Sequence, residues 1–133
     1  YGMTKSANLA HYYTGISYLK TDQYDKAIDY LKDFSVDDKI IEPQKYGALG
    51  DAYMEKGDLD KALDYYNQAI DANDNQFTSP YFMNKAAFVY EEKGEYEKAI
   101  ELYNKLKREY PNSPQSDQVD KSIARLKVIT SAK

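Results

Sequence analysis

The sequence predicts an all-α solenoid of three stacked helix-turn-helix units closed by one further helix, and three observations carry that prediction. The chain aligns with itself in three blocks, HYYTGISYLKTDQYDKAIDYLKDF from His11, YGALGDAYMEKGDLDKALDYYNQA from Tyr46 and MNKAAFVYEEKGEYEKAIELYNKL from Met83, offset by 35 and then 37 residues. A small residue and an aromatic recur at fixed slots of each block. Short turns rich in Gly and Asp split every block into two runs of helical periodicity.

The elements follow in order. Helices are expected over about 4–20 and 24–34, 43–56 and 59–72, and 80–93 and 96–109, within repeats at about 8–41, 43–76 and 80–113 of one domain spanning 1–133. Gly15, Gly50 and Ala87 stand mid-helix, where glycine is unfavourable, so their expected use is to let the second helix of the pair approach closely. Tyr18, Tyr53 and Tyr90 lie one turn further along, beside the crossing. Ala27, Ala62 and Ala99 are the matching small residues of the second helices, each followed one turn later by Leu31, Tyr66 or Tyr103. In the turns TDQYDKA, KGDLDKA and KGEYEKA, Gly57 and Gly94 fit a helix C-cap with positive φ, and Asp22, Asp58 and Glu95 are read as preceding the next helical run. Pro43 and Pro80 are expected at helix starts. The linker 73–79 is expected to be long, and Lys39 stands where a proline would close the first repeat. After YPNSP, Val119, Ile123, Leu126 and Ile129 predict a capping helix over about 115–130, entered through Ser113 as N-cap and Pro114.

Composition narrows the function. Net charge is −4, the wrong sign for a protein that neutralises phosphates, and residues 43–79 hold seven acidic side chains against Lys45, Lys56 and Lys61, so no nucleic-acid partner is expected. Mean hydropathy of −0.81 leaves no stretch able to span a bilayer, and no direct membrane contact is expected from these residues. The chain has 15 Tyr, 4 Phe and no Trp, so its burial relies on rings with a polar tip. With no Cys, disulfides and thiolate metal sites are excluded, and a single His, His11, is too few for a histidine triad or a multi-histidine metal site. Pairs such as Asp58 with Asp60 and Glu91 with Glu92 recur at surface slots among Lys56, Lys61, Lys93 and Lys98, as a solvated face would show. His11 is read as packing. No phosphate loop, nucleophile elbow or zinc helix occurs, so neither catalysis nor a cofactor or metal is expected.

The period, the small residue followed by an aromatic, and the alanine of the second helix resemble the tetratricopeptide repeat family over residues 8 to about 112. The resemblance implies a right-handed solenoid whose first helices line a concave groove. By slot, that groove would present Leu9, Tyr12, Ile16, Leu19, Gln44, Gly47, Asp51, Met54, Tyr81, Asn84, Phe88 and Glu91: aromatic, apolar and weakly acidic. With Glu55 it would suit an extended or helical protein segment with apolar side chains and a Lys or Arg. Family members that clamp a C-terminal carboxylate use several cations; the equivalent slots hold Tyr12, Ile16, Ala48, Tyr81 and Lys85, which argues against that specificity.

The run EKGEYEKAIELYNKLKREYPNSPQSDQVDKSIARLK is similar to envelope members of the family in Gram-negative bacteria, including a translocon-ancillary type and outer-membrane adaptors. That similarity implies a periplasmic domain anchored by an upstream segment, with a cytoplasmic location as the alternative. Two roles are open: a chaperone-like module that receives exported clients in its groove, and a structural adaptor that binds one partner through its surface. The start at Tyr1 points to a piece of a longer chain. A first helix without an upstream neighbour would leave Leu9 open and allow an oligomer through that end.

Overall fold

Small residues in the first helix of each repeat meet large ones in the second, and the paired helices take their spacing from that fit. The protein is described by a computed structural model covering residues 4–35 and 37–132; the start at Tyr1 lies outside the described residues. These residues form seven helices and no strand: α1 (Lys5–Lys20), α2 (Tyr24–Asp33), α3 (Ile41–Glu55), α4 (Leu59–Ala72), α5 (Thr78–Glu92), α6 (Tyr96–Glu109) and α7 (Ser116–Ser131). Each helix packs on the next in sequence, and α1, α3 and α5 also touch in series, which is the stacking of an α-solenoid.

A Cβ placed on Gly15 would lie 2.7 Å from Leu31 Cγ, and one on Gly50 would lie 2.5 Å from Tyr66 Cε1. Ala87 is fully buried, as are Ala27, Ala62 and Ala99. The small residues thus set the distance between α1 and α2, α3 and α4, and α5 and α6. Two buried clusters fill the interior, one across α2 to α5 and one across α5 to α7, and Ile70, Tyr90 and Leu102 border both, so the core is a continuous band. Tyrosine suits so thin a core because its ring packs while its faces and hydroxyl reach the surface. Tyr53 stacks on Tyr65 at 5.5 Å, and the ammoniums of Lys32, Lys56 and Lys61 lie 5.2 to 6.0 Å from its centroid. His11 packs its ring against Tyr30 at 5.1 Å.

Gly57 and Gly94 have φ of 80° and 77°. The N–H of Asp58 donates to Tyr53 and that of Glu95 to Tyr90, each at 2.9 Å, closing the helix ends in Schellman fashion. The first repeat corrects the sequence reading. Asp22, not a residue before the helix, occupies the glycine slot with φ 62°, and Gln23 is the flanking residue of α2, its N–H donating to Tyr18 at 2.9 Å. Asp58 does cap α4, accepting from the Lys61 N–H at 3.2 Å.

Three further boundaries differ. α3 and α5 begin two residues before Pro43 and Pro80, which sit buried in the first turn, where a missing N–H still costs nothing. The second linker therefore shortens to 73–77, and the longest connection is the first, 34–40. α7 starts at Ser116; Ser113 sits in the turn before it, and its hydroxyl accepts from the Ser116 N–H at 3.2 Å. Among the described residues no helix is long and apolar enough to cross a membrane.

Candidate functional site

A hollow of about 820 Å³ opens between α1, α3, α5 and α7. Leu19 and Lys20 come from α1, Asp51, Met54 and Glu55 from α3, and Asn84, Lys85, Phe88 and Glu91 from α5. Asp22 and Tyr24 close one end, and α7 supplies Gln118, Ser122 and Arg125 at the other. Tyr66 of α4 and Tyr103 of α6 reach it from behind. The groove is wide because α1, α3 and α5 lie side by side while their partner helices occupy the other layer.

Two carboxylates organise the polar part of this surface. Asp51 accepts from the Tyr66 hydroxyl at 2.5 Å and from the Lys85 ammonium at 2.8 Å. Glu91 accepts from the Tyr103 hydroxyl at 2.6 Å and from the Arg125 guanidinium at 2.7 Å. Each carboxylate is thus fixed by a tyrosine of the layer beneath and by a cation of the following repeat, 34 residues on in both cases. Burial, reinforced by the neighbouring carboxylate, pushes the Tyr66 and Tyr103 hydroxyls well above their ordinary range, so both remain donors. Burial pulls the Lys85 ammonium down, but Asp51 and Tyr81 outweigh it and the net shift is upward. Four carboxylates face three cations in the lining, a weakly acidic balance. Phe88 stands in the lining with its ring 48% exposed.

Of the residues expected in the groove, Leu19, Asp51, Met54, Asn84, Phe88 and Glu91 line it together. Tyr81 stands at its edge, with the Lys85 ammonium 5.1 Å from its ring centroid. Tyr12 and Ile16 are half-buried against the first core cluster, Tyr12 with its ring 5.2 Å from Phe34. Gln44 is exposed outside the lining. Two expectations are corrected. Gly47 is buried, and a Cβ there would lie 2.1 Å from Phe82 Cε1, so it serves contact between repeats rather than a ligand. Leu9 lines a separate hollow of about 420 Å³ beside the first connection.

The sequence reading missed the contribution of α7, whose apolar periodicity reads only as a cap. The signal was present in the spacing, because Arg125 follows Phe88 by the same 37 residues that separate the second and third blocks. Arg125 adds a third cation to the lining beside Lys20 and Lys85, and it is already paired with Glu91. Among the described residues no three His, Cys, Asp or Glu side chains converge as a metal site.

A family model described as tetratricopeptide repeat matches residues 48–114, and a second with the same description matches 9–35. No curated protein matches the chain in sequence. Among solved structures, the chain is similar to the Yersinia enterocolitica type III secretion chaperone SycD in complex with a peptide of the translocator YopD. That likeness has a TM-score of 0.79 at 19% identity and covers 96% of this chain and 97% of that one. The first TPR of Spaghetti (RPAP3) bound to an HSP90 peptide gives 0.73 at 17% identity, over 97% and 99% of the two chains. MamA gives 0.67 at 21%, over 95% and 81%. At these identities the likeness is one of fold. Half of the sequence lies within a single match to the family model, and the packing slots on which that match depends are filled as the repeat requires: the chain belongs to the tetratricopeptide repeat family.

Proposed function

We propose that the chain is a non-catalytic protein-binding module that receives a segment of another protein in the groove of α1, α3, α5 and α7. The observation that carries this reading is Phe88, an aromatic ring left 48% exposed in the lining of a hollow where Asp51 and Glu91 are already held in place. A preorganised polar frame around an apolar anchor recognises shape at low entropic cost. Two of the similar structures hold a peptide, of YopD in SycD and of HSP90 in Spaghetti, which supports this use of the fold. The ligand favoured by the lining is an extended or helical segment with apolar side chains and an occasional Lys or Arg directed at Glu55 or Asp22. The turn YPNSP between α6 and α7 favours a place among cell-envelope members of the family, where such a module would meet exported chains.

The test is fluorescence anisotropy against an array of short synthetic peptides rich in Leu, Phe, Lys and Arg. Phe88→Ala is expected to weaken the peptides that bind by about tenfold, as loss of a central aromatic anchor does, while leaving helicity intact. Equal affinity of Phe88→Ala and the unaltered chain for every binding peptide removes the groove from consideration.

A further inference from the structure

The connections leading into α3 and α5 are built alike. Asp38 accepts from the N–H groups of Ile40 and Ile41 at 2.8 and 3.2 Å; Asn75, 37 residues later, accepts from Phe77 and Thr78, both at 2.8 Å. Each turn thereby holds a large apolar residue at the position flanking the helix, and each leaves it in solvent: Ile40 is 75% exposed and Phe77 85%. The two turns adjoin, since the Asn73 side-chain amide donates to the Lys39 carbonyl at 2.8 Å. Beside Ile40 lies the hollow of about 420 Å³, walled by Leu9, Phe34 and Ile41 and rimmed by Lys5, Asp37 and Asp38. It shares no lining residue with the groove.

We infer that this edge is a second binding surface, separate from the groove, and that it takes a segment of a partner protein whose apolar side chain is flanked by Lys or Arg. The hollow accepts the apolar side chain, Ile40 and Phe77 cover the segment on either side, and charge selects its flanks. Asp37, Asp38, Glu42 and Asp74 lie in or beside the two turns against Lys5, Lys39 and Lys45, whose ammonium donates to the Phe34 carbonyl at 2.7 Å, which leaves the edge weakly acidic. Holding an exposed Ile and an exposed Phe by the same side-chain turn in consecutive repeats keeps apolar area in water, a cost that binding would recover. A second copy of the chain fits less well, because a two-fold contact through this edge would set Asp37, Asp38 and Asp74 against their own counterparts. Anionic lipid is disfavoured by the same charges.

The test uses a synthetic Leu/Lys peptide carrying a photoreactive group, a matched Leu/Glu peptide, and the full chain with Phe88→Ala so that groove binding is read separately. The Leu/Lys peptide is expected to crosslink to residues 34–41 and 77. Its affinity should fall about tenfold in Ile40→Ser with Phe77→Ser, two exposed positions whose change leaves folding intact, and fall as salt rises. The Leu/Glu peptide is expected to bind at least about tenfold more weakly. Crosslinks confined to α5 and α7, equal binding of both peptides, or no change in the double variant overturns the inference. Concentration-dependent self-association that the double variant abolishes reassigns the edge to a second copy and overturns it equally. Failure of Phe88→Ala to alter groove binding bears only on the groove.

Discussion

Phe82 of α5 occupies the space that a side chain on Gly47 of α3 would need: a Cβ there would fall 2.1 Å from Cε1 and 2.3 Å from Cζ of the ring. Phe82 is itself 2% exposed and edge-on to Tyr81 at 5.1 Å, so it cannot swing clear without disturbing the groove's rim. Gly47→Ala gains up to about 1 kcal/mol of helix propensity but overpacks a closed contact, at a typical cost of about 1 to 3 kcal/mol. We expect net destabilisation in urea unfolding, with Phe82→Leu in the same chain restoring part of it. A Gly47→Ala protein as stable as the parent would show that the two repeats can part without loss.

At Asp22 the opposite result is expected. Its φ of 62° is the conformation that Gly57 and Gly94 adopt in the other repeats, and a Cβ disfavours it. The residue's compensation is an exposed hydrogen bond from the Tyr24 hydroxyl at 3.0 Å. Asp22→Gly should therefore raise stability, by about 0.5 to 1 kcal/mol after allowing for the greater freedom of glycine in the unfolded chain. Thermal unfolding followed by circular dichroism checks it, and a lowered midpoint would mean that the Tyr24 contact outweighs the backbone strain.

These two positions mark where sequence reading stops. Gly15, Gly50 and the buried alanines were legible because a packing slot constrains side-chain size, and size repeats with the period. Gly47 obeys the same rule but for a contact between repeats, whose geometry depends on Phe82 in the next block, so counting slots within one repeat assigned it to the groove. Asp22 and Asp58 look alike beside their turns; only the 35-residue offset, which sets Asp22 against Gly57, separates a left-handed position from a cap. Arg125 follows Phe88 by the block offset, but the apolar periodicity of α7 reads as a cap and conceals it, and its role comes from Glu91, one repeat earlier. Half of the expected groove residues nonetheless converge, since Leu19, Asp51, Met54, Asn84, Phe88 and Glu91 follow helical spacing on adjacent first helices.

The raised tyrosines give the fold a pH limit on the alkaline side. Tyr66 and Tyr103 titrate in the folded chain above the usual value of about 10, burial being the main cause and the carboxylates Asp51 and Glu91 adding to it. Above that value the unfolded chain loses these protons while the folded one keeps them, so the unfolded state binds fewer protons and stability falls as pH rises. Their contribution is complete below about pH 10 and is lost progressively above it. Tyr66→Phe and Tyr103→Phe should each flatten the fall. The check is urea unfolding from about pH 8 to pH 11, with tyrosinate absorbance followed in parallel; an unchanged slope in both variants would place the alkaline sensitivity elsewhere.

Two ion pairs fasten α7, and they should differ in worth. Lys107 and Asp120 meet at 2.6 Å with both side chains well exposed, at 48% and 72%, where solvent screening and side-chain entropy leave little net gain. The Glu91 side chain is 8% exposed and depends on Tyr103 and Arg125 for its partners. Removing Arg125 leaves a sheltered carboxylate with one hydrogen bond fewer, which typically costs about 1 to 3 kcal/mol, with the lower end expected because the guanidinium itself is half-exposed. Arg125→Ala should thus destabilise clearly more than Lys107→Ala, and Glu91→Gln should relieve most of the Arg125→Ala loss by removing the stranded charge. A double-mutant cycle measured in urea separates the coupling from the single effects. Coupling near zero between Glu91 and Arg125 would mean that α7 is held to the groove by Val119, Ile123 and Leu126 alone, and that the charges on that wall are free to meet a ligand.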